Sequence, residues 1–404
     1  MDGFRTVGQP AAVAAVHAML ATRVPHALLL VGPPSVGKYP LALDLAAGLL
    51  CTGATGGDRP CRTCRGCRMV EHGNHPDLHL LAASGPGNQV RIGEDQHPEP
   101  GTIRRLSIDL ALLPVEGGER VAVIRDAGRM NEVAQSALLK TLEEPPAATT
   151  LILCADDEEV LLPTIRSRCA RVRLGTSGSR AIEGLLADLE LADPPTAAGL
   201  ARLAGGRPGL AVAYARAPEA ERIRGELVRT LLDLLGRSRA ERLGAARDLL
   251  ATAMTLAQGL DATPPAAADV PRRRGRGAPA AAPAPAAAPA PAAEGDAPDP
   301  SDEAAGTTAK ASAADRRRAL ALLIDLWRGL ARDLEVVSRG ATGSVRDVAL
   351  LEDLERAAAS LTPGAAANAV ARFVRAGELL EVNATPELVL DVLLIRWPRT
   401  GRAA

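Results

Sequence analysis

With 404 residues, 47% of them hydrophobic and 24% charged, the chain is long enough for two or three folded domains of roughly 100–200 residues each and too apolar to be disordered throughout. A net charge of −1 and an aromatic content of 1% give no evidence for whole-surface nucleic-acid binding and leave only a local basic patch open. No apolar run reaches the roughly 18 residues of a membrane span, and the opening MDGFRTVGQP lacks the charged-then-apolar layout of a secretory signal, so a cytoplasmic protein with no membrane contact is expected.

Phe4 to Gln9 reads as a lead-in and Ala11 to Ala21 as a helix with Val13, Val16 and Leu20 on one face. An apolar strand, His26 to Val31, runs straight into Gly32-Pro33-Pro34-Ser35-Val36-Gly37-Lys38-Tyr39 and then a helix through Leu41, Leu45, Leu49 and Leu50. Strand, glycine loop and helix form the setting in which G-x-x-x-x-G-K cradles a phosphate, because loop amides and a helix N-terminus converge on one anion site. Gly32, Gly37 and Lys38 are the candidate binders. The next position needs Ser or Thr to hold magnesium and is Tyr39. A second metal-holding acid is expected at the end of the strand Val121 to Ile124, where Arg125 and then Asp126 follow. Hydrolysis of ATP by this chain alone is therefore not expected. An idle ATP or ADP in the loop, or an empty loop kept for packing, both remain open.

Cys51, Cys61, Cys64 and Cys67 follow as C-x9-C-x2-C-x2-C. In a reducing compartment four thiols at this spacing point to tetrahedral zinc rather than to disulfides. Four sulfurs close the coordination sphere, so the ion is expected to be structural. His72, His75 and His79 are read as surface or packing residues, and Cys154 and Cys169 as buried thiols.

From Glu119 to Leu174 strands and helices alternate almost without interruption. Val121 to Ile124, Thr149 to Cys154 and Ala170 to Leu174 are strand-length apolar runs; Asn131 can cap a helix carrying Ala134, Ala137, Leu138 and Leu142, which Pro145 and Pro146 stop. Such alternation implies right-handed crossovers and a parallel sheet covered on both faces.

Beyond Leu174 the chain turns helical. Ser177 to about Pro218 reads as a small lid with Ile182, Leu185, Leu186 and Leu189 on one stripe, and Glu219 to Leu260 as longer helices. Residues 262–314 are rich in Ala and Pro, carry Arg272-Arg273-Arg274-Gly275-Arg276 toward their start and lack apolar periodicity, the composition of a solvated tether. Helices resume at Arg316, with Leu320, Leu323, Ile324, Trp327, Leu330, Leu334 and Val337 on one stripe; further helices are expected over Val345 to Ala359, Pro363 to Ala376 and Thr385 to Trp397.

The phosphate loop, the cysteine insert directly after its helix, HPDL at His75 to Leu78, EGGERVAVIRDAGRMNEVAQSALLKTLEEPP and the final Ser167-Arg168-Cys169 together resemble the bacterial DNA polymerase III clamp loader family of AAA+ proteins, strongly over Phe4 to Leu174 and more loosely beyond. The resemblance implies an α/β AAA+ core over residues 1–176 with a zinc module at about 51–67, a helical lid over 177–217, and an all-α collar over 218–261 and 315–404, with 262–314 as a disordered insert. It also implies that SRC is an arginine-finger motif, Arg168 acting in trans with Ser167 and Cys169 beside it. Motor (gamma/tau) subunits of the family keep Ser or Thr after the lysine and Asp-Glu at the strand end. This chain instead has Tyr39 and Arg125-Asp126, Ala155-Asp156 where a small polar γ-phosphate sensor is expected, and Gly209 in Gly206-Arg207-Pro208-Gly209-Leu210 where a sensing arginine is expected. That pattern resembles the delta-prime subunits, ATPase-inactive members of the DNA polymerase III holoenzyme. The partners so implied are the gamma/tau and delta subunits, the sliding clamp and primer-template DNA. An ATP-hydrolysing motor subunit of the same complex, or a zinc-containing DNA-binding scaffold outside it, are the alternatives.

Overall fold

The computed structural model describes residues 3–84, 88–116, 118–261, 312–381 and 384–400; the Ala/Pro-rich stretch and its arginine run lie outside the described residues. Five strands, β1 (Ala27–Val31), β2 (Leu78–Leu81), β3 (Arg120–Ile124), β4 (Thr149–Ala155) and β5 (Ala170–Arg173), form one sheet in the order β2-β3-β4-β1-β5. All pairings are parallel, with Leu29 opposite Leu153 and Val123 opposite Ile152.

Every residue of the three central strands is buried, and the period of two sorts them. Leu28, Leu30, Val121, Val123, Ile152 and Cys154 join one cluster with α1 (Pro10–Ala21) and α2 (Lys38–Leu49). Leu29, Ala122, Ile124, Leu151 and Leu153 join another with α4 (Ile103–Ala111) and α5 (Glu132–Glu143). A short helix, α3 (Arg65–Glu71), belongs to the cysteine module. The Asn131 carboxamide oxygen accepts the Ala134 N–H at 2.8 Å, the cap that starts α5. Edge strand β2 and helix α4 were not anticipated. β2 is only four residues long with its middle two partly exposed, which gives the sequence little to reveal.

One turn, α6 (Pro163–Arg166), precedes β5, and the rest is helical: α7 (Ser179–Asp188), α8 (Pro194–Ala204), α9 (Pro208–Arg216), α10 (Pro218–Asp233), α11 (Arg239–Gly244), α12 (Ala246–Asp261), α13 (Ala313–Ser338), α14 (Leu351–Ala359), α15 (Ala365–Glu381) and α16 (Pro386–Arg396). One hydrophobic cluster runs from Ile182 to Trp397. At its centre Trp327, Phe373 and Trp397 meet with ring centroids 5.2–5.8 Å apart, three of the chain's six aromatic residues. The stripe expected on α13 is buried throughout. The helix expected from Val345 begins only at Leu351, because the Arg346 and Asp347 amides are spent on the Asp333 carboxylate (3.1 and 3.4 Å) and Asp347 pairs with Arg224 at 2.6 Å. Among the described residues no helix is long and apolar enough to cross a membrane.

Candidate functional site

The phosphate-type loop leaves the C-terminal end of β1, the side of a parallel sheet where ligands bind. Gly37 caps α2 with φ of 110°, a left-handed conformation that favours glycine. The Lys38 side chain, 9% exposed, turns back into the loop: its Nζ donates to the carbonyls of Gly32 (2.6 Å) and Pro33 (2.7 Å) and to Asp156 Oδ1 (2.6 Å). All three ammonium protons therefore have acceptors within the chain. Gln9, buried beside the loop, donates to Val36 O at 3.1 Å and Gly175 O at 2.6 Å, tying the loop to the end of β5. From α9, the Gly209 N–H donates to Ser35 O at 2.9 Å, so the stretch expected to offer a sensing arginine instead closes on the loop backbone.

The two departures from a hydrolytic loop touch each other. The Arg125 guanidinium lies 5.3 Å from the Tyr39 ring centroid, a cation–π arrangement. Burial pushes the Tyr39 phenol up, only partly offset by Arg125, so the position after the lysine carries a neutral phenol. Asp126, behind Arg125, accepts the Ala83 N–H at 3.2 Å. Cys154, at the end of β4, is pushed up to about 12 by burial against the pull of Lys38 and stays a protonated thiol. Sequence reasoning named Tyr39, Arg125 and Asp156 singly and missed that Arg125 partners Tyr39 and Asp156 partners Lys38; the signal available was that several departures occur together.

At the other end of the sheet edge, Ser167-Arg168-Cys169 links α6 to β5. Cys169 is buried and held up at about 11 by that burial, Arg171 pulling the other way. Ser167 is exposed and its hydroxyl donates to Thr164 O at 3.1 Å. Arg168 is the charged member and is partly exposed: its side chain is 35% exposed, Nη1 donates to Thr164 O at 2.9 Å, and Nη2 lies 2.8 Å from Glu143 Oε1, itself 50% exposed. Glu143, the last residue of α5, is a contact the sequence does not announce.

Cys51, Cys61, Cys64 and Cys67 come together with all sulfur atoms within 4.8 Å of one another, and Cys51 and Cys64 are 4.0 Å apart. Tetrahedral zinc with Zn–S of about 2.3 Å sets its sulfurs roughly 3.8 Å apart, so the cluster could hold such an ion with little movement. The amides of Cys64 and Cys67 donate to Cys61 and Cys64 sulfur at 3.4 Å each. Burial opposes ionisation of Cys64, but the Cys67 and Thr52 amides outweigh it and hold this thiol down at about 5, which favours the thiolate that ligates metal. Burial pushes Cys67 the other way. His75 is buried, with Nε2 3.7 Å from Glu116; His72 is exposed and His79 accepts from Arg120 at 3.2 Å, so all three histidines have surface or packing roles.

A cleft of about 520 Å³ lies at the opposite, N-terminal ends of the strands, lined by Arg23, His26, Arg59, Glu119, Pro145 and Thr150 among others. It is remote from the phosphate-type loop.

Residues 8–177, less than half of the chain, match the family described as "DNA polymerase III, delta subunit". The DNA polymerase III subunit delta' of Escherichia coli K12 is 36% identical over 194 residues, 48% of this chain and 55% of that protein. The tau subunit of Salmonella typhimurium is 34% identical over 153 residues, 38% of this chain and 22% of that protein. The chain spans about half the length of the delta' relative and less of the tau relative. A DNA polymerase III gamma subunit-related protein from Thermotoga maritima is similar in structure over 96% of this chain and 100% of that one, at 14% identity and a TM-score of 0.37, too loose to add to the strand order. By these matches, residues 8–177 are similar to the delta-prime subunits of DNA polymerase III.

Proposed function

We propose that this chain is a clamp loader subunit that does not hydrolyse ATP itself and that supplies Arg168 in trans to the nucleotide site of a neighbouring motor subunit. The observation that carries this reading is the contrast in cation placement: Lys38 is used up by Gly32, Pro33 and Asp156, while Arg168 stands at the surface on replaceable partners. In ATP hydrolysis negative charge spreads over the γ-phosphoryl oxygens, and an arginine supplied in trans is worth about a thousandfold or more in rate. A permanently charged, fork-shaped guanidinium suits that task. Ser167 and Cys169 hold the finger's base, one on the α6 turn and one in the core. Because site and finger come from different chains, turnover becomes conditional on assembly.

Residues 218–261 and 315–404 serve in this reading as the collar that joins the other subunits, gamma/tau and delta; the sliding clamp and primer-template DNA are met through the assembled complex. The character of α16 supports a covered outer face: Val389, Leu390, Leu393 and Leu394 are buried, yet Leu388, Val392 and Ile395 on the opposite side are apolar and exposed, and apolar residues gathered on one exposed face mark a contact surface. Zinc in the four-cysteine cluster is structural, since four sulfurs leave no open position.

The test is reconstitution with motor and delta subunits. Arg168→Ala is expected to leave folding and metal content intact and to lower DNA-stimulated ATP turnover; unchanged turnover sinks the finger. Purified chain that hydrolyses ATP would make it a motor subunit instead.

A further inference from the structure

The cysteine module is tied to the N-terminal segment of the chain by its own side chains. Its Arg62, between Cys61 and Cys64, adopts φ of 59°, a left-handed conformation that costs a non-glycine residue about 1–2 kcal/mol and persists where its surroundings impose it. In that conformation its Nε donates to Gly3 O at 2.7 Å, and its Nη2 pairs with Asp44 Oδ1. Asp44, 2% exposed on α2, uses its other oxygen for Arg5 N (3.1 Å), Thr6 N (2.9 Å) and the Thr6 hydroxyl (2.6 Å). Arg5 in turn pairs with Glu71 of α3 at 2.7 Å. Gly3 lies so close to the module that a Cβ there would stand 2.0 Å from Pro60 O, and the Thr6 methyl lies beside Gly37 of the phosphate-type loop. The polar attachments of Gly3–Thr6 thus go to the module or to one buried carboxylate shared with it.

We propose that the four-cysteine module is a clamp: metal in the cluster fixes Arg62, and Arg62 with Asp44 fixes the Gly3–Thr6 segment against α2 beside the phosphate-type loop. The inference rests on the reading of the cluster as a metal site. Metal loss frees the Cys61–Cys64 turn, withdraws Arg62, and leaves Asp44 buried without its cation, so the segment it holds comes loose. By linkage, weakening Arg62 weakens metal retention by the same factor.

The experiment is amide hydrogen exchange on the full chain, with metal content measured on the same samples, before and after chelation and in Arg62→Ala. Exchange at the Arg5 and Thr6 amides is expected to quicken about tenfold or more in both the stripped chain and the variant, while β3 and β4 amides stay protected. The variant should keep its metal at purification but yield it faster to a competing chelator. Arg5 and Thr6 protection that is unchanged in the variant overturns the clamp, as does unchanged protection after stripping. If Arg62→Ala does not fold, Arg62→Gln, which keeps one donor and drops the charge, is read the same way. Chain isolated without metal under metal-replete expression would overturn the metal reading itself, a result separate from the exchange data.

Discussion

Lys38 and Arg168 are cations at two corners of the same sheet, and their surroundings could hardly differ more. An anion entering the phosphate-type loop has to displace a carboxylate and two carbonyls from an ammonium that is 9% exposed. An anion approaching Arg168 has to displace one half-exposed carboxylate and the Thr164 carbonyl at the surface, and exposed ion pairs are worth only about 0–1 kcal/mol. One cation is closed off inside the chain and the other is cheap to redirect outward. The in-trans role proposed for Arg168 requires this asymmetry.

The sharpest way to break the comparison is to remove each cation in turn. In the reconstituted complex Arg168→Ala is expected to slow turnover at the site it serves by about a thousandfold or more, whereas Lys38→Ala should leave turnover within about twofold. Single-turnover ATP hydrolysis separates the served site from the others. Comparable losses for the two variants would show that the loop takes part after all.

Next in size is Asp156→Ala, which leaves the Lys38 ammonium with two carbonyls and no counter-charge. Because Asp156 is 63% exposed, the loss is expected at about 1–2 kcal/mol rather than the full figure for a buried pair. Thermal unfolding measures it. Pyrophosphate should raise the melting temperature of the variant and not of the parent chain; stabilisation of both would mean that Asp156 does not close the loop.

How legible these two corners were follows from what kind of contact makes them. The loop and the corner could be found in the sequence because both are local: Gly32 to Lys38 and Ser167 to Cys169 are continuous runs. The central strands were legible too, since each is buried on both faces and reads as an unbroken apolar run. The partners were not legible, because they are distant in sequence. Lys38 meets Asp156 and Arg168 meets Glu143 only once the parallel crossovers have stacked β1 beside β4 and α5 beside α6. The same holds for Arg62 and Asp44, since a charged residue inside a cysteine insert looks like solvent-facing filler and an aspartate on α2 like part of its solvent face. The late start of α14 has a similar cause: Val345 to Asp347 has helical composition, but Asp333 on α13 competes for the amides a helix would need.

A smaller effect sharpens the loop side. Arg125→Gln removes the cation over the Tyr39 ring, and since Arg125 is exposed the cost is expected at about 0.5 kcal/mol, a small shift in thermal midpoint. The variant should still not hydrolyse ATP as a purified chain, because the Tyr39 phenol sits too far from the backbone to stand in for the missing Ser or Thr hydroxyl and Lys38 stays engaged. Recovery of activity from this one change would mean that Arg125 alone blocks the site.

The smallest effect is the most telling for the finger side. Glu143→Gln removes the charge that faces Arg168 while keeping an acceptor oxygen at the end of α5. If the pair is only a resting place, stability should change by less than about 0.5 kcal/mol and turnover of the assembled complex should stay within about twofold, since the triphosphate outcompetes a single exposed carboxylate for the guanidinium. If Glu143 instead aims Arg168, turnover should fall by an order of magnitude while stability stays put. A drop of that size would mean that Arg168 is not cheap to redirect, and the contrast with Lys38 would narrow to a difference in burial alone.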